Sequence, residues 1–158
     1  MIFLFVVVLV VVLTFGAVLL RGAPYVPTLH DQGKAALELL DLRPGQTMLE
    51  LGSGDGKVLI MAARAGLNVV GIELNPFLVI ISWLRTRRYR RQVRIIWGDF
   101  WRVSWPEHDG IFVFLLDRFM PKLDKRMQGS HKPLVSFAFK VPGRRPDAER
   151  AGVFLYRY

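Results

Sequence analysis

Thr47-Met48-Leu49-Glu50-Leu51-Gly52-Ser53-Gly54-Asp55-Gly56-Lys57 is the stretch that decides the fold. Its first five residues are a short run, apolar but for one acid near its end, of the length of a buried strand. The three alternate glycines after it allow a tight turn and close approach of a ligand to the backbone. Lys57 to Ala65 then reads as a helix stopped by Gly66. On its own, such a turn is shared by many strand-to-helix junctions and by dinucleotide sites.

Downstream the pattern recurs. Asn68–Glu73 reads as a second strand, and Pro76 opens a helix that runs into an arginine-rich stretch. Val93–Trp97 predicts a third strand, Gly110–Leu116 a fourth followed by a helix from Pro121, and Pro133–Phe139 a fifth. A Pro/Gly/Arg loop leads to a last strand, Gly152–Tyr156. Upstream, Lys34–Leu40 carries apolar residues at helical spacing, with Thr28 or Asp31 placed to cap it. Strands alternating with helices predict an α/β domain over residues 31–158, Rossmann-like, with a mostly parallel sheet and helices on both faces.

The first residues are different in kind. Ile2 to Leu20 contains no charged residue, and a run of about 18 or more apolar residues is long enough to cross a bilayer as a helix. No basic segment precedes the run and no small-residue cleavage site follows it, so residues 1–21 read as an uncleaved transmembrane anchor rather than a signal peptide. Residues 22–30, with Pro24 and Pro27, read as an extended linker. The chain carries 22 Lys+Arg against 13 Asp+Glu, and every basic residue lies after the run. The positive-inside tendency therefore predicts a single-pass membrane protein with its domain on the cytoplasmic, or matrix-equivalent, side.

A net charge of +9 also invites a nucleic-acid reading, the densest patch being Arg85 to Arg91 with Arg94 beyond. Attraction of that patch to anionic head groups is the simpler account for a protein beside a bilayer; RNA contact through Arg and Tyr89 stays open. The absence of cysteine removes disulfides and thiol nucleophiles, and His30, His108 and His131 have no metal-ligand spacing.

In a sheet of this kind, ligands sit beyond the carboxyl ends of the strands. Glu50 stands near the end of the first strand, Glu73 ends the second and Asp99 follows the third. A buried Glu50 needs a cationic partner, such as an ammonium, and would repel a pyrophosphate. The G-x-G-x-G spacing also departs from the G-x-G-x-x-G of dinucleotide sites. Glu73 is placed to accept hydrogen bonds from ribose hydroxyls. Asp99 is placed to reach an adenine amine, with Phe100 or Trp101 beside the ring. Together the three acids favour an adenosine ligand with a cationic tail.

Glu50-Leu51-Gly52-Ser53-Gly54-Asp55-Gly56 resembles the acidic-x-G-x-G-x-G loop of the class I S-adenosylmethionine-dependent methyltransferases. Tyr25-Val26-Pro27-Thr28, Gly71-Ile72-Glu73-Leu74-Asn75-Pro76, Gly98-Asp99-Phe100-Trp101 and Phe119-Met120-Pro121-Lys122-Leu123 narrow the likeness. They are similar to segments of the small membrane-anchored protein-lysine methyltransferases that act on the ATP synthase rotor-ring protein (its c subunit) or on the adenine nucleotide translocase, and of their bacterial relatives. The resemblance implies S-adenosyl-L-methionine as cofactor, held by Glu50, Gly52, Ser53, Gly54, Gly56, Glu73, Leu74, Asn75, Asp99 and Phe100. It implies a protein substrate in or near a membrane, reached through a bilayer contact of residues 2–20. Tyr25, Trp101 and Phe119 are candidates to line an apolar channel that lowers the pKa of an acceptor lysine, and Thr28 to cover the cofactor. Leu116-Asp117-Arg118-Phe119 stands where nucleobase amino methyltransferases carry Asn-Pro-Pro-Tyr, which argues against that chemistry. Arg144 and Arg145 stand where this group is expected to have an aromatic residue. A methyltransferase for a small lipophilic substrate and a non-catalytic adenosine- or RNA-binding module are the alternatives.

Overall fold

The structure, a computed structural model, describes residues 30–158 together with Met1, residues 4–6 and Leu9. The expected linker up to Leu29, with Tyr25 and Thr28, and most of the expected anchor lie outside these residues, while His30, its last residue, opens the first helix. The chain builds α1 (His30–Leu40), β1 (Thr47–Leu51), α2 (Lys57–Arg64), β2 (Asn68–Glu73), α3 (Pro76–Thr86) and β3 (Val93–Trp97). It continues through β4 (Gly110–Phe114), α4 (Met120–Met127), β5 (Pro133–Phe137), β6 (Ala148–Arg150) and β7 (Val153–Arg157).

The seven strands form one sheet in the order β3-β2-β1-β4-β5-β7-β6. β3, β2, β1, β4 and β5 run parallel. β7 runs antiparallel to β5, with Phe137 opposite Val153, and β6 antiparallel to β7. No helix separates β5 from β6, and without a crossover the chain can only return antiparallel. The short β6 lies in the tail segment that reads as a loop, its three residues too few to show a period. β4 and β5 each end two residues earlier than their apolar runs.

Alternation along the strands fills two cores. On one face Met48, Val69, Phe112, Val135 and Leu155 pack against Ala35, Ala36 and Leu40 of α1 and Val58, Leu59 and Ala62 of α2. On the other, Leu49, Leu51, Ile72, Ile111, Val113, Leu134 and Tyr156 pack against Met120, Leu123 and Met127 of α4. The expected α/β sheet with helices on both faces is therefore what forms. Helix α3 departs from the usual pattern: it buries Leu78, Ser82 and Thr86 while Phe77, Ile80, Ile81, Trp83 and Leu84 face solvent. Small side chains are required on its inner face because Gly56 approaches Ser82 and Thr86 there.

The expectation of a single-pass membrane protein is corrected. Among the described residues no helix is long and apolar enough to cross a membrane. The longest, α1 and α3, have 11 residues each, about 16 Å at 1.5 Å per residue, against a hydrocarbon core of about 30 Å.

The chain runs from β1 outward to β3 on one side, then crosses back to β4 on the other side of β1. This reversal places a crevice at the carboxyl ends of β1 and β4, where doubly wound sheets bind their ligands.

Candidate active site

The glycine turn lies against β2. The N–H groups of Gly52 and Ser53 both donate to the Ile72 carbonyl, at 2.8 and 3.1 Å. The Gly54 N–H donates to Glu73 Oε2 at 2.8 Å, and that of Gly56 to the Ser53 carbonyl at 3.0 Å. These donors are committed inside the protein, so this turn does not present the row of free N–H groups that cradles a phosphate. The glycines divide the work. Gly52 (φ +83°) has nothing within 4 Å of where a Cβ would stand, so its open side faces the crevice. Gly56 (φ +78°) would place a Cβ 2.4 Å from Ser82 Oγ, so it is a packing glycine between α2 and α3. Gly71 of β2 does the same for Ser53, whose Oγ would lie 2.6 Å from an added Cβ.

Glu50 and Glu73 come together as the sequence predicts. Both are 4% exposed. Burial, and then repulsion from Glu73, push the Glu50 carboxyl well above the ordinary carboxylate range. Burial raises Glu73 as well, opposed by backbone N–H donors. Its Oε1 accepts from the Asn75 N–H at 2.8 Å, while Oε2 is held by Gly54. Glu50 Oε2, Ser53 Oγ and Asn75 Nδ2 are buried with no hydrogen-bond partner among the described residues. A buried polar atom left without a partner costs free energy, and here an acceptor, a hydroxyl and a donor are unsatisfied around one end of the sheet. Asn75 also caps α3, its Oδ1 accepting from the Phe77 N–H at 2.9 Å. The Leu74 carbonyl accepts from Trp97 Nε1 at 3.1 Å.

Asp99 is more occupied with its own loop. Its Oδ1 accepts from the Trp101 N–H at 2.9 Å, and Arg102 Nε lies 3.7 Å from Oδ2. Phe100 is buried and its ring lies 4.9 Å from that of Trp101. Trp101 is half-buried and 6.4 Å from Phe119, which follows β4. The structure thus brings Trp101 and Phe119 to one wall above the crevice.

Sequence reading misses what holds that wall. Arg126 of α4 donates to the carbonyls of Phe100 (2.9 Å), Trp101 (3.0 Å) and Val103 (3.2 Å), and stacks on Trp105 at 4.0 Å. In the sequence it is one basic residue among many, with no local signal for a partner 23 residues away. Arg144, which stands where an aromatic was expected, lies over the Tyr158 ring at 4.0 Å and within 3.6 Å of Asp124. It closes the tail onto α4. Of the arginine patch, Arg85 pairs with Asp55 beside the glycine turn. Arg90, Arg91 and Arg94 line an open cleft of about 440 Å³ with Thr47, Asn68 and Glu107, at the amino ends of the strands. That is the pole opposite the crevice.

The profile of the ANTKMT methyltransferase domain matches residues 50–148. The chain belongs to this family. Its matched segment begins at Glu50 and contains both carboxylates and the whole aromatic wall. A lysine N-methyltransferase of the ATP synthase c subunit, from Xenopus laevis, is 35% identical over 129 residues, covering 78% of this chain and 57% of the relative. The chain therefore spans little more than half of that relative's length. A protein-lysine N-methyltransferase of Saccharolobus islandicus is 29% identical over 132 residues, covering 78% of this chain and 81% of the relative. Among solved structures, an RNA methyltransferase from Salinibacter ruber in complex with S-adenosyl-L-homocysteine superposes with a TM-score of 0.76 at 30% identity. It covers 84% of this chain and 92% of that one. The class I methyltransferase fold expected from the glycine turn is borne out, and S-adenosyl-L-homocysteine in the neighbour accords with the expected cofactor.

Proposed function

We propose that residues 31–158 form an S-adenosylmethionine-dependent methyltransferase domain whose acceptor is a lysine side chain of a membrane-associated protein. The observation that carries the cofactor assignment is the buried Glu50, unpartnered at Oε2 and next to Glu73. An ammonium near Glu50 supplies the missing partner and favours the ionised carboxylate. Glu73 would accept from the ribose hydroxyls, with Leu74 and Asn75 beside it. Asp99 would take the adenine amine, and Phe100 would lie against the ring. Gly52, Ser53, Gly54 and Gly56 shape the turn over which the methionine part would lie.

When bound, S-adenosylmethionine supplies an electrophilic methyl on a sulfonium, displaced in line by the acceptor nitrogen. Positioning and exclusion of water are what the chain adds. Trp101 and Phe119 give an apolar, π-rich wall that suits the stem and head of a lysine, and burial there favours the neutral amine that can attack. Tyr25 and Thr28, outside the described residues, keep their proposed roles as channel lining and cofactor cover. The lysine acceptor is supported by the activities of the Xenopus and Saccharolobus relatives, and its membrane association by the first of them.

An RNA acceptor is the second reading, favoured by the likeness to the Salinibacter RNA methyltransferase. The position of Arg90, Arg91 and Arg94 at the far pole speaks against it. The test is methyl transfer from isotope-labelled S-adenosylmethionine to membrane proteins and to RNA in parallel, followed by digestion and mass spectrometry. Label in methyl-lysine supports the proposal. Label confined to nucleosides, or to lipid extracts, overturns it.

A further inference from the structure

The wall already carries a lysine. Lys122 Nζ stands 4.2 Å from the centroid of the Trp101 ring, within cation–π range. Lys122 is exposed and takes part in no ion pair among the described residues, whereas Lys34 and Lys140 each face a carboxylate. Its place is fixed by its neighbours. Met120 and Leu123, on either side of it in the first turn of α4, are both fully buried against the sheet. Three residues before it is Phe119, the other ring of the wall. The segment leads out of β4, the strand that borders the crevice. The fold thus holds one of the chain's own lysines, with its ammonium on an aromatic face, at the place proposed for the acceptor.

We propose that Lys122 is itself a methyl acceptor, modified in cis by the same site. The inference rests on the lysine-directed reading given above. In the step, Lys122 Nζ first gives one proton to water and attacks as the neutral amine. The new N–C bond forms as the S–C bond of S-adenosylmethionine breaks, and the sulfur keeps that electron pair as a neutral thioether. The product is a methylammonium, which retains its charge and can remain over Trp101, because cation–π attraction persists for methylated ammonium groups. The modified side chain would then compete with protein acceptors for the wall.

Two measurements test this on the full chain. The first, without cofactor, is reductive dimethylation with ¹³C-formaldehyde followed by NMR. A Lys122 methyl resonance shifted upfield by the Trp101 ring, and restored to the ordinary position in Trp101→Ala, supports the seat. An unshifted Lys122 resonance in the unsubstituted chain overturns it. The second is incubation with deuteriomethyl-S-adenosylmethionine and peptide mass spectrometry. Label on the Lys122 peptide is expected, with a first-order rate constant independent of chain concentration. It should be absent in Lys122→Arg, reduced tenfold or more in Trp101→Ala, and less affected in Trp101→Phe, which keeps a ring. No label at Lys122 in a preparation that binds S-adenosylmethionine and methylates a protein lysine overturns this inference alone. A rate proportional to chain concentration overturns modification in cis. Failure to bind S-adenosylmethionine at all overturns the proposed function together with it.

Discussion

The two halves of the crevice are built on different principles. The β1–β2 half is a floor made of backbone: a turn whose N–H groups are committed to Ile72, Glu73 and Ser53, with two buried carboxylates fixed at the strand ends. The β3–β4 half is a wall made of side chains: Trp101, pinned at its carbonyl from α4 by Arg126 and carrying Lys122, with Phe119 beside it. A floor of this kind leaves little freedom for change, since each glycine answers a separate demand. The wall is set by a few long side chains and can differ between relatives without disturbing the sheet. On the proposed function, the floor would hold the methionine and ribose parts of the cofactor, and the wall would receive the acceptor.

Breaking the floor should cost most. Gly56→Val forces a Cβ into Ser82 in a backbone region that valine avoids, and should destabilise the chain by about 3 kcal/mol, read by urea denaturation. Gly52→Ala meets open space, so only its positive φ is felt, about 1 kcal/mol. If both cost the same, the division of labour between the glycines is wrong.

Glu73→Ala removes the acceptor for two backbone N–H groups along with the proposed ribose contact. It should weaken S-adenosylmethionine binding by about 30-fold, roughly 2 kcal/mol, in calorimetry. Arg126→Met acts mainly on the wall and leaves Glu50, Glu73 and the glycine turn untouched. It should lower kcat/KM for a protein acceptor by about tenfold while the cofactor Kd stays within about twofold. A matching loss in both would show that floor and wall are one unit.

The smallest effect is one of pH. Burial raises the Glu50 pKa in the folded chain, so at a pH between the unfolded and the raised folded value the folded state holds a proton that the unfolded state has released. Its contribution is therefore fullest below the unfolded value of about 4.3 and is lost as pH rises through the raised folded value. The cofactor-free chain should gain stability as pH falls from the raised folded value toward the unfolded one, by about 1 kcal/mol per pH unit, and Glu50→Gln should flatten that profile in thermal melts.

The floor was legible because its signals are local. The run Thr47–Leu51, the glycines and the acid at Glu73 declare strand, turn and strand end within about one structural unit. Sequence could not say which glycine faces a ligand and which faces Ser82, since that depends on how α3 packs. The wall was half legible. Trp101 and Phe119 could be named as channel residues, but Arg126 and Lys122 act across the fold with no periodic pattern to mark them. Asp99 shows the limit of position alone: it sits where an adenine contact was expected, yet its carboxylate also caps its own loop. The strand β6 was hidden for a related reason, because Ala148–Arg150 becomes a strand only by pairing with β7. The apolar run at the start satisfied a length rule for crossing a bilayer, whereas the described helices do not.

Calorimetric titration of the chain with S-adenosylmethionine, and with NAD as the comparison, tests the central claim most directly. The account predicts one saturable site for S-adenosylmethionine, weakened in Glu50→Gln and in Glu73→Ala, and no heat of binding for NAD. NAD binding as tight as S-adenosylmethionine, or S-adenosylmethionine affinity unchanged in both variants, would contradict it.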